Sequence, residues 1–206
     1  KRPQRATAAF ILAGALAARL TQTKVIGAVC ETSGIDSMWR YCEGFRKGAL
    51  YIDEEIKVLV KYRNDGDREK LFIDSEWGDT TARKMIQQGA DVIFGAGGGT
   101  GQGALVAAAE KRVYAIGAEK DQGQILTEAT SSIVTSVYGR GSYQVQEMIR
   151  LIQSNEWTNA KLSGAIGFAP YNPNIQVSEE TIKEMEMLLF DLTAGKIQTG
   201  VSPSAP

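Results

Sequence analysis

Gly89–Gly103, GADVIFGAGGGTGQG, followed one helix length later by Val113–Gln122, VYAIGAEKDQ, decides the fold class of this 206-residue chain. A run of β-formers, Asp91–Phe94, enters a glycine-dense turn and then the helix-forming Ala104–Lys111, so the glycines stand where a strand ends and a helix starts. Open α/β sheets take their ligands at that edge. Glycine there lets the main chain come close to a small molecule, and the first amides of the following helix can point at its oxygens. Gly95, Gly97, Gly98, Gly99, Gly101 and Gly103 together exceed what a tight turn needs, which favours ligand contact over a plain connection.

The units on either side repeat the same rhythm. Lys24–Cys30 leads to a helix at Asp36–Leu50, Ile56–Tyr62 to Thr80–Gln88, and Val113–Ala118 to a turn at Lys120–Gln124. Alternation of this kind predicts an α/β fold with a parallel sheet, right-handed crossovers and helices on both faces. Val25–Val29 and Asp91–Phe94 are apolar throughout, whereas Ile56, Val58, Val60 and Tyr62 alternate with Lys57, Leu59 and Lys61, which places that strand nearer an edge. Ala6–Leu20 is interrupted by Gly14 and Arg19 and runs straight into the first strand, so it reads as a packed helix and not as a signal peptide or membrane span.

Beyond Gln122 the rhythm changes. Ser131–Val137 and Ala165–Ala169 read as strands, Ser142–Gln153 and the amphipathic Glu179–Thr193 as helices, Tyr171–Asn174 as a turn and Ser202–Pro206 as a tail. These elements are too few for a second core. The expected organisation is a ligand-binding lobe over residues 1–130, then hinge crossovers and part of another lobe over residues 131–206.

Composition removes several functions. Apolar residues make up 43% of the chain, enough for a packed core, and 23 basic against 24 acidic residues leave a net charge of −1. No long-range field or basic patch invites nucleic acid. Histidine is absent, which removes the commonest general base, the Ser-His-Asp triad and most zinc sites. A non-enzymatic role without metal or cofactor is the expectation. Cys30 and Cys42 lack metal spacing, and two separate half-buried thiols are favoured over a disulfide.

Candidate site residues gather at the carboxyl edge of the sheet. Gly97, Gly98, Gly99, Thr100 and Gly101 form the turn, and Glu119 ends the next strand as an acceptor for ligand hydroxyls. Asp121 beside it is either a second acceptor or a solvated acid. Tyr41 and Trp77 are apolar walls for a ring or sugar face, or core residues. Gly99-x-Gly101-x-x-Ala104 also satisfies a dinucleotide pattern, with Glu119 about 20 residues on where a ribose-binding acid would stand. An NAD(P)-dependent oxidoreductase is thus an alternative, weakened because two strand–helix units precede a fingerprint that normally follows the first strand.

GADVIFGAGGGTGQG and AIGAEKDQ, with GFRKGA at Gly44–Ala49 and DSEWG at Asp74–Gly78, resemble the basic membrane protein family. The likeness runs from FILAGALAARL to the closing AGKIQTGV. Its members are substrate-binding lipoproteins of bacterial ABC transporters, several of them binding purine nucleosides. The resemblance implies the type I periplasmic-binding-protein fold, two α/β lobes joined by three crossovers, and it implies that this chain carries the C-terminal lobe with most of the N-terminal lobe lying upstream. It further implies a small-molecule ligand, purine nucleoside or sugar-like, an ABC permease as partner, and a lipid-anchored place in the periplasm or on the outer face of the cell membrane. Gly97–Gly101 match the ligand-touching turn, and Tyr41 holds the family's aromatic place three residues before the GF pair. Glu119 stands where nucleoside binders have Asp, one methylene longer. Thr135 replaces a Lys near the hinge, and a hydroxyl cannot supply its ammonium. A ligand-sensing signalling protein of the same fold is the competing expectation.

Overall fold

The computed structural model describes residues 2–65, 67–138, 149–154 and 166–206, with side chains from Thr7 onward. Helix α1 (Arg2–Leu20) feeds β1 (Val25–Cys30), and α2 (Asp36–Ile52) returns to β2 (Lys57–Tyr62). After a 3₁₀ turn at Arg68–Lys70 come α3 (Ser75–Gln87), β3 (Val92–Gly95), α4 (Gly99–Glu110), β4 (Tyr114–Ala118) and the one-turn α5 (Gln122–Ile125). Strands β5 (Ile133–Tyr138) and β6 (Gly167–Phe168) and helix α6 (Glu179–Ala194) follow among the described residues. The expected helix at Ser142–Gln153 is seen only in its last residues, 149–153, which are helical; its remainder lies outside the described residues.

The strands form one sheet in the order β2-β1-β3-β4-β5-β6, parallel except for the antiparallel β5/β6 pair. The lysine-alternating β2 is an edge strand, as its pattern requires, while β1 and β3 are buried. Side chains alternate across the sheet: Val92 and Phe94 join the core beneath α1 and α2, and Ile93 joins the core beneath α3 and α4. Helices therefore cover both faces, as the alternation predicts. Between β4 and β5 the register slips by one residue, with Ala115 opposite Ile133 and Ile116 opposite Thr135. Such a bulge turns the strand locally.

α1 explains the alanine-rich opening of the chain. Phe10, Leu12 and Leu16 are fully buried, and the backbones of α1 and α2 approach so closely that a Cβ at Gly14 would lie 1.8 Å from the Phe45 carbonyl oxygen. A Cβ at Gly48 would lie 2.0 Å from that of Ile11. α6 packs on the same helix, tied by two hydrogen bonds from Arg19 to the Glu184 carboxylate at 2.7 and 2.6 Å. It is capped by the Ser178 hydroxyl, which accepts from the Thr181 N–H, and ends at left-handed Gly195.

β5 is hydrogen-bonded beside β4, so the sheet continues across residue 130. The Asn172 amide fastens this region by donating to the Thr130 and Ile133 carbonyls. Two expectations are corrected. Cys30 and Cys42, expected as separate thiols, form a disulfide, their Cα atoms 6.2 Å apart. The end of β1 lies directly under the second turn of α2, an adjacency that spacing alone does not reveal. Finally, α4 begins at Gly99, not Ala104, and α3 at Ser75, not Thr80.

Candidate functional site

The chain leaves β1 to pair β2 on one side and returns to form β3 on the other, so the strand order reverses between β1 and β3. A crevice outside the carboxyl ends of those strands is the usual ligand position. Here it is filled. Glu31, fully buried just past β1, accepts from the Arg63 guanidinium at 3.2 Å, the Phe72 N–H at 2.9 Å and the Thr100 hydroxyl at 2.8 Å. Arg63, itself 2% exposed, also donates to Asp74 Oδ2 at 2.9 Å and to the Asp67 carbonyl at 2.5 Å. The other Asp74 oxygen caps α3 by accepting from the Trp77 N–H. Burial pushes the Asp74 carboxyl up, but the Arg63 guanidinium and the Trp77 amide outweigh it and hold the group below its ordinary range.

This cluster rewrites the role of the glycine turn. A carboxylate sits under the start of α4, where the sequence places free amides for a ligand, and the Gly99 N–H already donates to the Phe72 carbonyl. The Thr100 side chain is committed to Glu31 and fully buried. Gly101 exists to pass the Ala96 backbone, which a Cβ would approach to 2.5 Å, and Gly99 to pass Ile73. Thus Gly99, Thr100 and Gly101 belong to the first turn of a packed helix, and close helix packing accounts for them. Gly97 (φ +102) and Gly98 (φ +61) do adopt the conformations that favour glycine.

The concavity lies one strand over, between the ends of β3 and β4. A cavity of about 140 Å³ is lined by Gly95–Gly98, Gln102 and Leu105 on one side and Ala118–Lys120 and Gln122 on the other. Gly97, Gly98 and Glu119 are therefore brought together, as the sequence predicts. Glu119 has φ +70, uncommon for a residue with a side chain, and this aims its carboxylate along the rim. Partial burial of the carboxylate raises its pKa, although the residue as a whole keeps contact with solvent. The Tyr41 hydroxyl donates to Glu119 Oε1, and its ring stacks on Phe10 with centroids 3.7 Å apart. One face of that ring is thus covered, and Tyr41 meets the site through its hydroxyl.

Gln122 supports this rim. Its backbone N–H donates to the Ser136 hydroxyl at 3.0 Å, its amide to the Ala118 carbonyl at 3.1 Å, and it accepts from Gln102 at 3.2 Å. Three sequence candidates stand elsewhere. Asp121 caps α5, accepting from the Gly123 N–H and the Gln124 amide. Trp77 packs on α3 against the core of that face. Thr135 is buried in β5 and donates to the Ala169 carbonyl at 2.7 Å. No group of His, Cys, Asp or Glu among the described residues could hold a metal ion, and no helix there is long and apolar enough to cross a membrane.

Comparison with known proteins places this geometry. The family described as ABC transporter substrate-binding protein PnrA-like matches residues 4–188. Basic membrane protein B of Borreliella burgdorferi is 32% identical over 193 residues, covering 86% of this chain and 53% of the relative. A CD4+ T-cell-stimulating antigen of Listeria monocytogenes is 32% identical over 120 residues, 54% of this chain and 31% of its own. This chain spans about half the length of the curated relatives it matches most fully. Among solved structures, an ABC-transporter solute-binding protein from Aeropyrum pernix K1 superposes with a TM-score of 0.72 at 20% identity, over 94% of this chain and 64% of that one. A transcriptional activator of the comK gene from Bacillus halodurans superposes at 0.73 and 18% identity, over 93% and 64%. The single sheet with helices on both faces is the type I periplasmic-binding-protein architecture, and the chain belongs to the family of PnrA-like ABC-transporter substrate-binding proteins.

Proposed function

We propose that this chain supplies one wall of a solute-binding site of an ABC import system, taking a small hydroxyl-bearing ligand, nucleoside or sugar-like, against Gly97–Gly98 and the Glu119 carboxylate. The observation that carries it is the convergence of bare backbone, a positioned carboxylate and the amides of Gln102 and Gln122 around one cavity. A carboxylate accepts two hydroxyls of a diol, and unobstructed main chain lets a ring come close. A volume of about 140 Å³ holds part of a ligand, since whole small-molecule sites run to roughly 300 Å³ or more. The remainder of the ligand then needs a second wall, which we assign to a further lobe closing over it by hinge motion. A carbohydrate solute-binding protein of Agrobacterium radiobacter, solved with D-arabinose, shares the fold at a TM-score of 0.55 and 16% identity, which agrees with a sugar-like guest. The buried disulfide supports a place outside the reducing cytosol, and the family likeness a lipid anchor there.

A permease is the partner of this reading, and delivery of the closed form is its mechanism. Ligand sensing in gene regulation is the second reading, favoured by the fold shared with the comK activator. A dinucleotide enzyme loses support because Glu31 and the Phe72 carbonyl occupy the start of α4, where a pyrophosphate would have to sit. Calorimetry on the full-length protein with adenosine, inosine, D-ribose and NADH separates them. Binding of a nucleoside or sugar, lost in Glu119→Gln, supports the solute site; binding of NADH alone overturns it. A permease and ATPase encoded beside the gene favour import over sensing.

A further inference from the structure

We propose that the Cys30–Cys42 disulfide is a positioning element of the ligand site. It holds the amino-terminal half of α2 at the height on the sheet edge where the Tyr41 hydroxyl reaches Glu119, so that affinity depends on the bridge being oxidised. This rests on the reading of the Gly97–Glu119 rim as the ligand site.

The bridge joins two residues whose immediate neighbours both work at the carboxyl edge: Glu31 centres the buried ion cluster, and Tyr41 bonds Glu119. Both cysteines are fully buried. From Phe45 onward α2 is fixed independently, because Gly14 and Gly48 let it mesh with α1. Its first turns are held less firmly. The cap residue Ile35 offers no side-chain hydrogen bond to the first amides, and the link from Glu31 to Ile35 contains an exposed glycine, Gly34. The ties on this half include the Tyr62 hydroxyl on the Trp39 carbonyl at 3.1 Å and on the Glu43 carboxylate at 3.2 Å, the Arg40 guanidinium on the Pro203 carbonyl at 2.6 Å, the Trp39–Tyr62 and Phe10–Tyr41 stacks, and the disulfide. Only the last is covalent. A thiol or phosphine reductant adds two electrons and two protons to give two thiols, itself leaving oxidised, and frees Tyr41 from the end of β1.

The test uses the whole chain, with circular dichroism to establish folding of Cys30→Ala/Cys42→Ala. The Glu119 carboxyl is titrated by ¹³C NMR, with and without Tyr41→Phe, in the parent and in the cysteine-free background. Removing the hydroxyl is expected to raise the Glu119 pKa in the oxidised protein, because a hydrogen bond to the charged form is lost, and to have no effect in the cysteine-free one. Equal shifts in both backgrounds would mean that the non-covalent ties place Tyr41 without the bridge, and would overturn the proposal. Should the double variant not fold, wild-type protein reduced with tris(2-carboxyethyl)phosphine replaces it. Amide exchange over Met38–Gly44 should then rise more than over Val92–Phe94, and unchanged or uniform exchange overturns the proposal. Calorimetry with adenosine and D-ribose should show affinity weakened about tenfold without the bridge, the scale of one hydrogen bond to a charged group. An unchanged affinity overturns it. Failure of both probes to bind the oxidised protein counts against the ligand site itself, while the carboxyl titration still decides the role of the bridge.

Discussion

Arg63→Met should be among the most destabilising single substitutions in this chain. The guanidinium is 1% exposed and faces two carboxylates, Glu31 at 3.2 Å and Asp74 at 2.9 Å. Methionine fills much of the volume but leaves Glu31, with no solvent exposure, facing only neutral donors from Thr32, Phe72 and Thr100. Breaking a buried pair on one side costs about 3–5 kcal/mol. At about 2–4 °C per kcal/mol for a chain of this size, the melting temperature should fall by roughly 6–20 °C. Differential scanning calorimetry without ligand measures it. The cost arises from an uncompensated buried charge, so Glu31→Gln/Arg63→Met should melt above Arg63→Met alone, a non-additivity a double-mutant cycle reads directly. A drop under about 1 kcal/mol, or a double variant whose losses simply add, would refute the reasoning.

Other outcomes follow from the same contacts. The Asp74 carboxyl is held below its ordinary range, so its contribution is present above its unfolded pKa near 3.8 and is lost as pH falls through the lower folded value. Thermal melts between pH 6 and 2 should show Asp74→Asn losing that acid-side slope. Gly97→Ala forces a Cβ to within 2.6 Å of Glu31 Cβ at φ +102, whereas Gly195→Ala meets nothing within 4 Å; urea titration should give the second a cost of about 1 kcal/mol and the first distinctly more. Removing the disulfide, which closes a loop of sequence separation 12, should cost about 3 kcal/mol by the chain-entropy relation, measured by denaturant unfolding with and without reductant. Burial raises the Glu119 pKa, so ligand affinity should begin to fall at a pH above the ordinary 4.5 as the carboxylate protonates, and a Glu119→Gln protein should show no such dependence in calorimetry.

The alternation of strands and helices was readable because each element carries its own period, down to the lysines that mark β2 as an edge. The meeting of Gly97, Gly98 and Glu119 was readable for a topological reason: in a parallel sheet the ends of consecutive strands share an edge whatever the side chains do. The filling of the crevice was not. Glu31, Arg63 and Asp74 are 32 and 11 residues apart, and each taken alone reads as a solvated charge after a strand or before a helix. The same holds for Cys30 and Cys42, since a helix resting over a strand end leaves no trace in spacing. Gly99, Gly101 and Gly103 looked like ligand contacts because their real neighbours, Ile73, Ala96 and Ser75, include two from a distant stretch of the chain, around the start of α3. Thr135 was drawn into the site by family position, whereas its hydroxyl serves the Ala169 carbonyl next to the β5/β6 pair. The nearest local clue to the buried cluster is Arg63 itself, a cation directly abutting the strand KVLVKY.

The most direct measurement is an amide chemical-shift titration of the isotope-labelled full-length protein with adenosine and with D-ribose. A ligand held at the β3–β4 rim is predicted to shift Gly97, Gly98, Glu119 and Gln122 saturably, leaving Thr135 and the α5 cap at Asp121 little changed. Saturable shifts centred on Thr135 or on α6, with Gly97, Gly98 and Glu119 unmoved, would contradict the account.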